Sequence, residues 1–253
     1  MKLAKKILAA LLAVAMVAVL FAGCTKTETK TLTMATNAEF PPYEYFENEK
    51  IVGIDAEIAQ AICDKLGYEL VIEHIDFDSI IPGIQGGKYD FGMAGLTVTD
   101  ERLANVNFTQ SYATGIQAII VAEGSDIKTA DDLFNGGIKI GVQKGTTGDL
   151  YSTWDIEDEG LGTVERFNKG ADAVMALTSG KVDCVIIDNE PAKVFVEKNA
   201  GLALLDTAYA EEAYAIAVSK DNDALLKELD TALSELIADG TVQQIIDKYI
   251  PAE

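Results

Sequence analysis

Arg102 and Asp188 are the two side chains from which a binding chemistry can be assembled in this sequence. Arg102 closes the run Phe91-Gly92-Met93-Ala94-Gly95-Leu96-Thr97-Val98-Thr99-Asp100-Glu101-Arg102, which begins apolar and strand-like and ends in a polar turn able to start a helix. Ala94 and Gly95 carry almost no side chain, so a ligand can lie directly against the backbone there. Thr97 offers a hydroxyl, Thr99 suits an N-cap, and Asp100 and Glu101 suit a first helical turn. A cation in that same turn sits at the wrong end of the helix dipole. An anion joining it resolves the conflict, and a guanidinium fork fits a carboxylate bidentately. Alone, Arg102 reads more readily as a solvated surface residue; the small residues and the hydroxyl beside it tip the balance toward a carboxylate site. Asp188 ends the apolar run Val182-Asp183-Cys184-Val185-Ile186-Ile187. It suits an ammonium group, and it equally suits a cap for the helix that follows.

Other chemistries have little material. The chain has one histidine, His74, and three cysteines, Cys24, Cys63 and Cys184, with no CxxC pair. A metal cluster or a Ser-His-Asp triad is therefore not expected, no cofactor is implied, and His74 reads as a surface or strand residue. Cys63 falls in an apolar helix and Cys184 in an apolar strand, so both read as buried free thiols. Gln143-Lys144-Gly145-Thr146-Thr147-Gly148 is a glycine turn feeding a helix, which can present backbone N–H groups to an anion or be an ordinary strand-to-helix turn. It lacks the Gly-Lys-Ser/Thr of a phosphate-binding loop.

The elements that must position these residues alternate. Thr31–Thr36 alternates as a strand and runs into the rigid loop Asn37-Ala38-Glu39-Phe40-Pro41-Pro42-Tyr43. Phe40 suits a ligand wall; Tyr43 fits a wall or a core edge equally well. Ile54, Ile58, Ile62 and Leu66 form one helical stripe, closed at Gly67. A strand over Tyr68–Ile75 leads to Phe77, a second candidate wall, and to a helix ending at Gln85. Ile116–Val121 is a strong apolar strand, after which strands at 138–142, 164–167 and 182–188 alternate with helices. A strand at 214–219 and two helices, 223–239 and 241–249, close the chain. Strand-helix alternation predicts an α/β sheet with ligands at the carboxyl ends of its strands. Phe40, Phe77 and the Gly95–Arg102 region each lie just past a strand.

Length and composition agree with such a fold. The chain has 253 residues and 49% hydrophobic content, enough for one large or two modest domains. Lys2, Lys5 and Lys6 precede an unbroken apolar run of 17 residues, Ile7 to Gly23, the pattern of a secretory signal peptide and slightly short for a membrane span. Removing residues 1–23 deletes three lysines and no acid, taking the net charge from −21 to −24. Such acidity excludes nucleic acid and anionic lipid surfaces as partners.

Three motifs carry a resemblance: Gly53-Ile54-Asp55-Ala56-Glu57-Ile58 with its helix, Ala94 through Arg102, and Gly145-Thr146-Thr147, together with Asp188. From about Thr31 to Glu253 the chain resembles the bacterial extracellular solute-binding proteins of family 3, the polar amino-acid receptors of ABC importers. The resemblance implies a two-lobed α/β periplasmic-binding-protein fold with two hinge strands, near Gly115–Ile119 and Ala210–Tyr214. Residues 31–115 plus 213–253 would form lobe 1 and residues 116–212 lobe 2. It implies a monomer that captures an amino acid and delivers it to the permease subunits. The ligand carboxylate would meet Arg102, Thr97 and the backbone amide at Thr147. Its ammonium would meet Asp188 and the Gly95 carbonyl, and Phe40 and Phe77 would clasp its side chain. Asn37, Glu39 and Gln143 would line the part that varies with ligand, Asn37 standing where many relatives carry an acid. Leu20-Phe21-Ala22-Gly23-Cys24 resembles a lipobox, with Phe21 where Leu is commoner. That implies a lipid on Cys24, residues 24–30 as tether, and an extracytoplasmic protein anchored to the cell membrane. A few relatives are dehydratases of prephenate or arogenate type; in that alternative Glu39 would supply the acid.

Overall fold

A computed structural model describes residues 30–251. The expected leader, Cys24 and the tether up to residue 29 lie outside the described residues. β1 (Thr31–Thr36), β2 (Glu39–Phe40), β3 (Glu44–Glu47) and β4 (Lys50–Val52) lead into helix α1 (Ile54–Leu66). β5 (Glu69–His74), α2 (Ile80–Gln85), β6 (Phe91–Gly92) and the single turn α3 (Asp100–Leu103) follow, then the long strand β7 (Val106–Ala122). Next come β8 (Ile138–Gln143), α4 (Thr147–Ser152), β9 (Gly162–Phe167), α5 (Gly170–Thr178), β10 (Cys184–Asp188) and α6 (Asn189–Lys198). β11 (Leu202–Leu204), β12 (Ala210–Ser219), α7 (Asp223–Ala238) and α8 (Thr241–Tyr249) complete the chain.

Apolar periodicity accounts for the helices. Ile54, Ile58 and Ile62 of α1 are fully buried, and Gly67 closes the helix in the left-handed region at φ 76°, where glycine carries no Cβ penalty. Leu225, Leu229, Leu233 and Leu236 make the buried stripe of α7, and the two stripes share one core with Met34 and Phe91 of the sheet. Each such side chain taken fully out of water contributes about 1.5–3 kcal/mol.

The main sheet has nine strands, in the order β5-β1-β6-β12-β7-β10-β8-β9, with β11 also on β7. β1 is parallel to β5 and β6, and β8 is parallel to β9 and β10. Between these two parallel groups run β7 and β12, antiparallel from Ala210 opposite Gln117 to Ser219 opposite Val106, with the register shifting at Tyr214–Ala217. The apolar pattern predicts only the Ile116–Val121 part of β7. Its first half carries only scattered apolar residues, Val106, Phe108 and Tyr112, among polar and small ones, and β12 pairs with it along that length. The proline loop is likewise more structured than expected, with Glu39–Phe40 and Lys50–Val52 flanking Glu44–Glu47 in a separate three-stranded sheet. The helix expected through Trp154 stops at Ser152 and passes into a π-type turn over Thr153–Glu157. Thr129 and Asp132 form a capping box that opens a 3-10 helix, Ala130–Asn135. Cys63 and Cys184 are buried and free; burial pushes their thiols up to about 11 and about 12. No helix among the described residues is long and apolar enough to cross a membrane.

Candidate functional site

The carboxyl ends of five strands meet at one cavity. Asn37 follows β1, Phe77 follows β5, and Ala94 and Gly95 follow β6; Gln143 ends β8 and Asp188 ends β10. Phe40, Arg102, Thr146 and Thr147 complete the lining. All the residues expected at the site line this cavity except Glu39 and Thr97. Ala94, whose small side chain lets a ligand approach the backbone, and Thr146 line it as well. No cluster able to hold a metal ion occurs among the described residues.

Arg102 is 6% exposed although it lies in the first turn of α3, where Thr99 caps its N–H. Its Nη1 donates to the Thr97 carbonyl at 2.8 Å and its Nη2 to the Gly145 carbonyl at 3.1 Å. The guanidinium carbon stands 5.5 Å from the centre of the Phe77 ring, a cation–π distance. Thr97 thus supports the site from behind through its carbonyl. Among the described residues no ion pair includes Arg102. Burial pushes its pKa down, and the fields of Glu212 and Asp188 oppose that shift.

Asp188 is also 6% exposed. It occupies the N-cap position of α6 without making a side-chain cap bond, so the capping alternative fails. Its Oδ2 accepts from Gln117 Nε2 at 2.7 Å, and the same amide donates to Glu212 Oε2 at 3.0 Å. The Tyr214 hydroxyl donates to Oδ1. Burial pushes the Asp188 pKa well up and the Glu212 charge adds to this; the Gln117 amide and Arg102 act against it. Two buried acids sharing one amide form a strongly cation-seeking group.

At the far end of the cavity Gln143 Nε2 donates to Asn37 Oδ1 at 3.0 Å and to the Asn168 carbonyl at 3.1 Å. Asn37 Nδ2 donates to the Ile75 carbonyl at 2.7 Å. Glu39 points elsewhere, pairing with Lys169 Nζ at 2.5 Å, with His74 Nε2 at 4.0 Å. His74 has a local task after all: its Nδ1 accepts the Ala38 N–H at 3.0 Å and ties down the loop that carries Asn37 and Phe40. Tyr43 is 3% exposed and packs edge-on against Tyr214 at 5.2 Å, which makes it core.

Gln117, Glu212 and Tyr214 were not expected at the site. For Gln117 a signal existed: a lone amide inside the apolar run Ile116–Val121 must find a partner when buried. Nothing in the local pattern around Glu212 or Tyr214 marks them.

Comparison with known proteins identifies the family and the fold. Residues 32–252 match the family described as "Bacterial extracellular solute-binding proteins, family 3". The arginine-binding extracellular protein ArtP of Bacillus subtilis (strain 168) is 33% identical over 227 residues, covering 88% of each chain. Among solved structures, an ancestral arginine-binding protein bound to arginine superposes with a TM-score of 0.80 at 40% identity, covering 87% of this chain and 97% of that one. An ancestral arginine-binding protein bound to glutamine gives 0.80 at 38% identity, covering 88% and 98%. These superpositions identify the mixed α/β periplasmic-binding-protein fold, and the matched relatives are binding proteins, not enzymes. With strand ends, a buried guanidinium and a strand-end carboxylate meeting at one cavity, and with a family match over nearly all the described residues, the chain belongs to the bacterial extracellular solute-binding proteins of family 3.

Proposed function

We propose that this protein is the extracytoplasmic substrate-binding component of an ABC importer, capturing an amino acid and handing it to the permease. One observation carries the reading. Arg102 is a buried guanidinium bonded only to carbonyls, and Asp188 is a buried carboxylate lining the same cavity. A buried charge without a counter-ion is costly, and a zwitterion supplies both counter-ions at once. In this reading the α-carboxylate takes the Arg102 fork together with the Thr147 amide, while the Thr97 carbonyl holds the guanidinium in place from behind. The α-ammonium takes Asp188 and the Gly95 carbonyl, and the side chain lies between Phe40 and Phe77. The lobes are residues 31–115 plus 213–253 and residues 116–212, joined through β7 and β12; a ligand touching both favours closure by its differential affinity. Asp188 leaning on Gln117 and Tyr214 of those two strands supports that assignment.

Arginine is the first candidate ligand, from the names of the relatives. Glutamine is the second reading, favoured by the uncharged Asn37–Gln143 pair at the side-chain end and by a similar protein bound to glutamine. The dehydratase alternative loses its acid, because Glu39 is held by Lys169. Titration calorimetry against the twenty amino acids is expected to give one or a few tight ligands. Arg102→Ala is expected to weaken them about 10²–10³-fold, as loss of a buried charge pair costs about 2–5 kcal/mol; unchanged affinity refutes the site. Lipid attachment at Cys24 is part of this proposal, and Cys24→Ala is expected to release the protein from membranes. Retention of that variant in the membrane fraction would mean an uncleaved anchor instead.

A further inference from the structure

Behind the Gly95 loop lies a set of polar atoms that ligand contact does not use. Glu44, in β3, and Asp55, in the first turn of α1, are both 0% exposed. Neither carboxyl oxygen of Glu44 has a hydrogen-bond partner, nor has Asp55 Oδ1. Asp55 Oδ2 accepts the Gly95 N–H at 2.9 Å. The Tyr112 hydroxyl borders the group, buried and outside ordinary hydrogen-bond geometry. The titratable groups facing Glu44 and Asp55 are Tyr43, Tyr112 and Asp188, and no base is among them.

Two neighbouring carboxyl groups in a dry site cannot both be ionised. One proton between them makes a carboxylic acid that donates to a carboxylate, which satisfies an orphaned oxygen on each. Glu44 is the partner that holds the proton: burial pushes its pKa well up, with the Asp55 charge adding, whereas burial raises Asp55 only to about 6 because the Gly95 N–H and the Tyr112 hydroxyl favour its ionised form. Gly95 has φ +53°, and a Cβ on it would stand 3.1 Å from the Phe40 ring. Only glycine fits there without strain, and its N–H is anchored by Asp55.

We propose that Glu44 and Asp55 form a single-proton carboxyl pair that fixes the Gly95 peptide beside the ligand ammonium, with Asp55 a positioning residue for ligand binding and Glu44 its buried donor. The inference rests on the amino-acid-binding reading for its effect on affinity. It also has a readout independent of ligand, the amide of Gly95.

The test joins calorimetry with L-arginine and L-glutamine to amide NMR of the whole mature protein. Without ligand, the Gly95 amide proton is expected far downfield at pH 7.5, moving upfield with a midpoint near 6 as Asp55 takes a proton. Glu44→Gln keeps a neutral donor, so affinity within about twofold of wild type and an unshifted Gly95 midpoint are expected. Asp55→Asn removes the anionic acceptor, so binding about tenfold weaker at pH 7.5 and loss of the Gly95 titration are expected. A Gly95 amide that does not titrate, a Glu44→Gln variant tenfold weaker, or a folded Asp55→Asn variant that binds as wild type would each overturn the proposal. If the wild type binds neither amino acid, the ligand reading is what fails, and the Gly95 titration still decides the pair.

Discussion

Gly115 is the position where a single methyl group should do the most damage to the candidate site. It lies in β7 opposite Glu212 of β12. A Cβ there would stand 2.0 Å from the Tyr214 hydroxyl oxygen and 2.2 Å from the ring carbon that carries it. Tyr214 cannot retreat, because it is 0% exposed and wedged edge-on against Tyr43 at 5.2 Å. Gly115→Ala must therefore move the ring, and with it the hydroxyl that donates to Asp188. Overpacking of this kind costs about 1–3 kcal/mol, and a hydrogen bond to a charged group is worth about 1.5–3 kcal/mol. The two overlap, so about 2–5 kcal/mol is expected, or a fall in Tm of roughly 5–15 °C for a chain of this size. Thermal unfolding by circular dichroism reads the first effect, and calorimetry reads the loss of ligand affinity through a displaced Asp188. The double variant Gly115→Ala/Tyr214→Leu removes the clash, so its loss should fall short of the sum of the two single variants. A Gly115→Ala protein melting within about 1 °C of wild type and binding equally well would refute the steric argument.

Two further predictions concern charge. The folded-state pKa of Asp55 lies near 6 against 3.8 for the ordinary group, so the folded protein takes that proton first. Stability of the unliganded protein should therefore begin to rise as pH falls through about 6, a gain complete below about 3.8 and worth up to about 3 kcal/mol. Affinity should run the opposite way, since Asp188, pushed up by burial and by Glu212, must be ionised to hold an ammonium. Melting and calorimetry at pH 7.5, 6 and 5 check both signs; parallel trends would contradict the assignment. Lys169→Ala frees Glu39 and should favour arginine over glutamine, by less than about fivefold because the pair is half-exposed, whereas Glu39→Gln should shift preference the other way. A competition assay with both amino acids decides it, and an unchanged ratio in both variants would remove Glu39 from the side-chain end.

The helices were legible because burial imposes a period on them: α1 and α7 declare themselves through isoleucine and leucine every three or four residues. The first half of β7 was not, because its order comes from hydrogen bonds to β12, and Val106, Phe108 and Tyr112 are too scattered among polar residues to make a continuous apolar run. At the cavity, residues placed just past a strand were legible, since sheet topology brings such positions together whatever their side chains. Pairings between distant segments were not. Glu39 and Lys169 are 130 residues apart in sequence, and neither neighbourhood records the other. Gln117 falls between these cases: an amide in an apolar strand announces that it needs partners, but not that they are Asp188 and Glu212.

The balance of charge suggests why one scaffold could serve different amino acids. Of the residues lining the cavity, Arg102 is the only cation and Asp188 the only anion. The lining therefore matches the invariant part of any α-amino acid, one carboxylate and one ammonium, and is silent about the side chain. Beyond it, Glu39 and Lys169 neutralise each other outside the lining. A neutral side chain can lie against Asn37 and Gln143 without disturbing that pair. A guanidinium must draw Glu39 away from Lys169, exchanging one ion pair for another in a half-exposed place where each is worth at most about 1 kcal/mol. Discrimination by charge at this end is then weak by construction. Selectivity between arginine and glutamine must come mainly from how well the amides of Asn37 and Gln143 are satisfied once the side chain has displaced their mutual hydrogen bond.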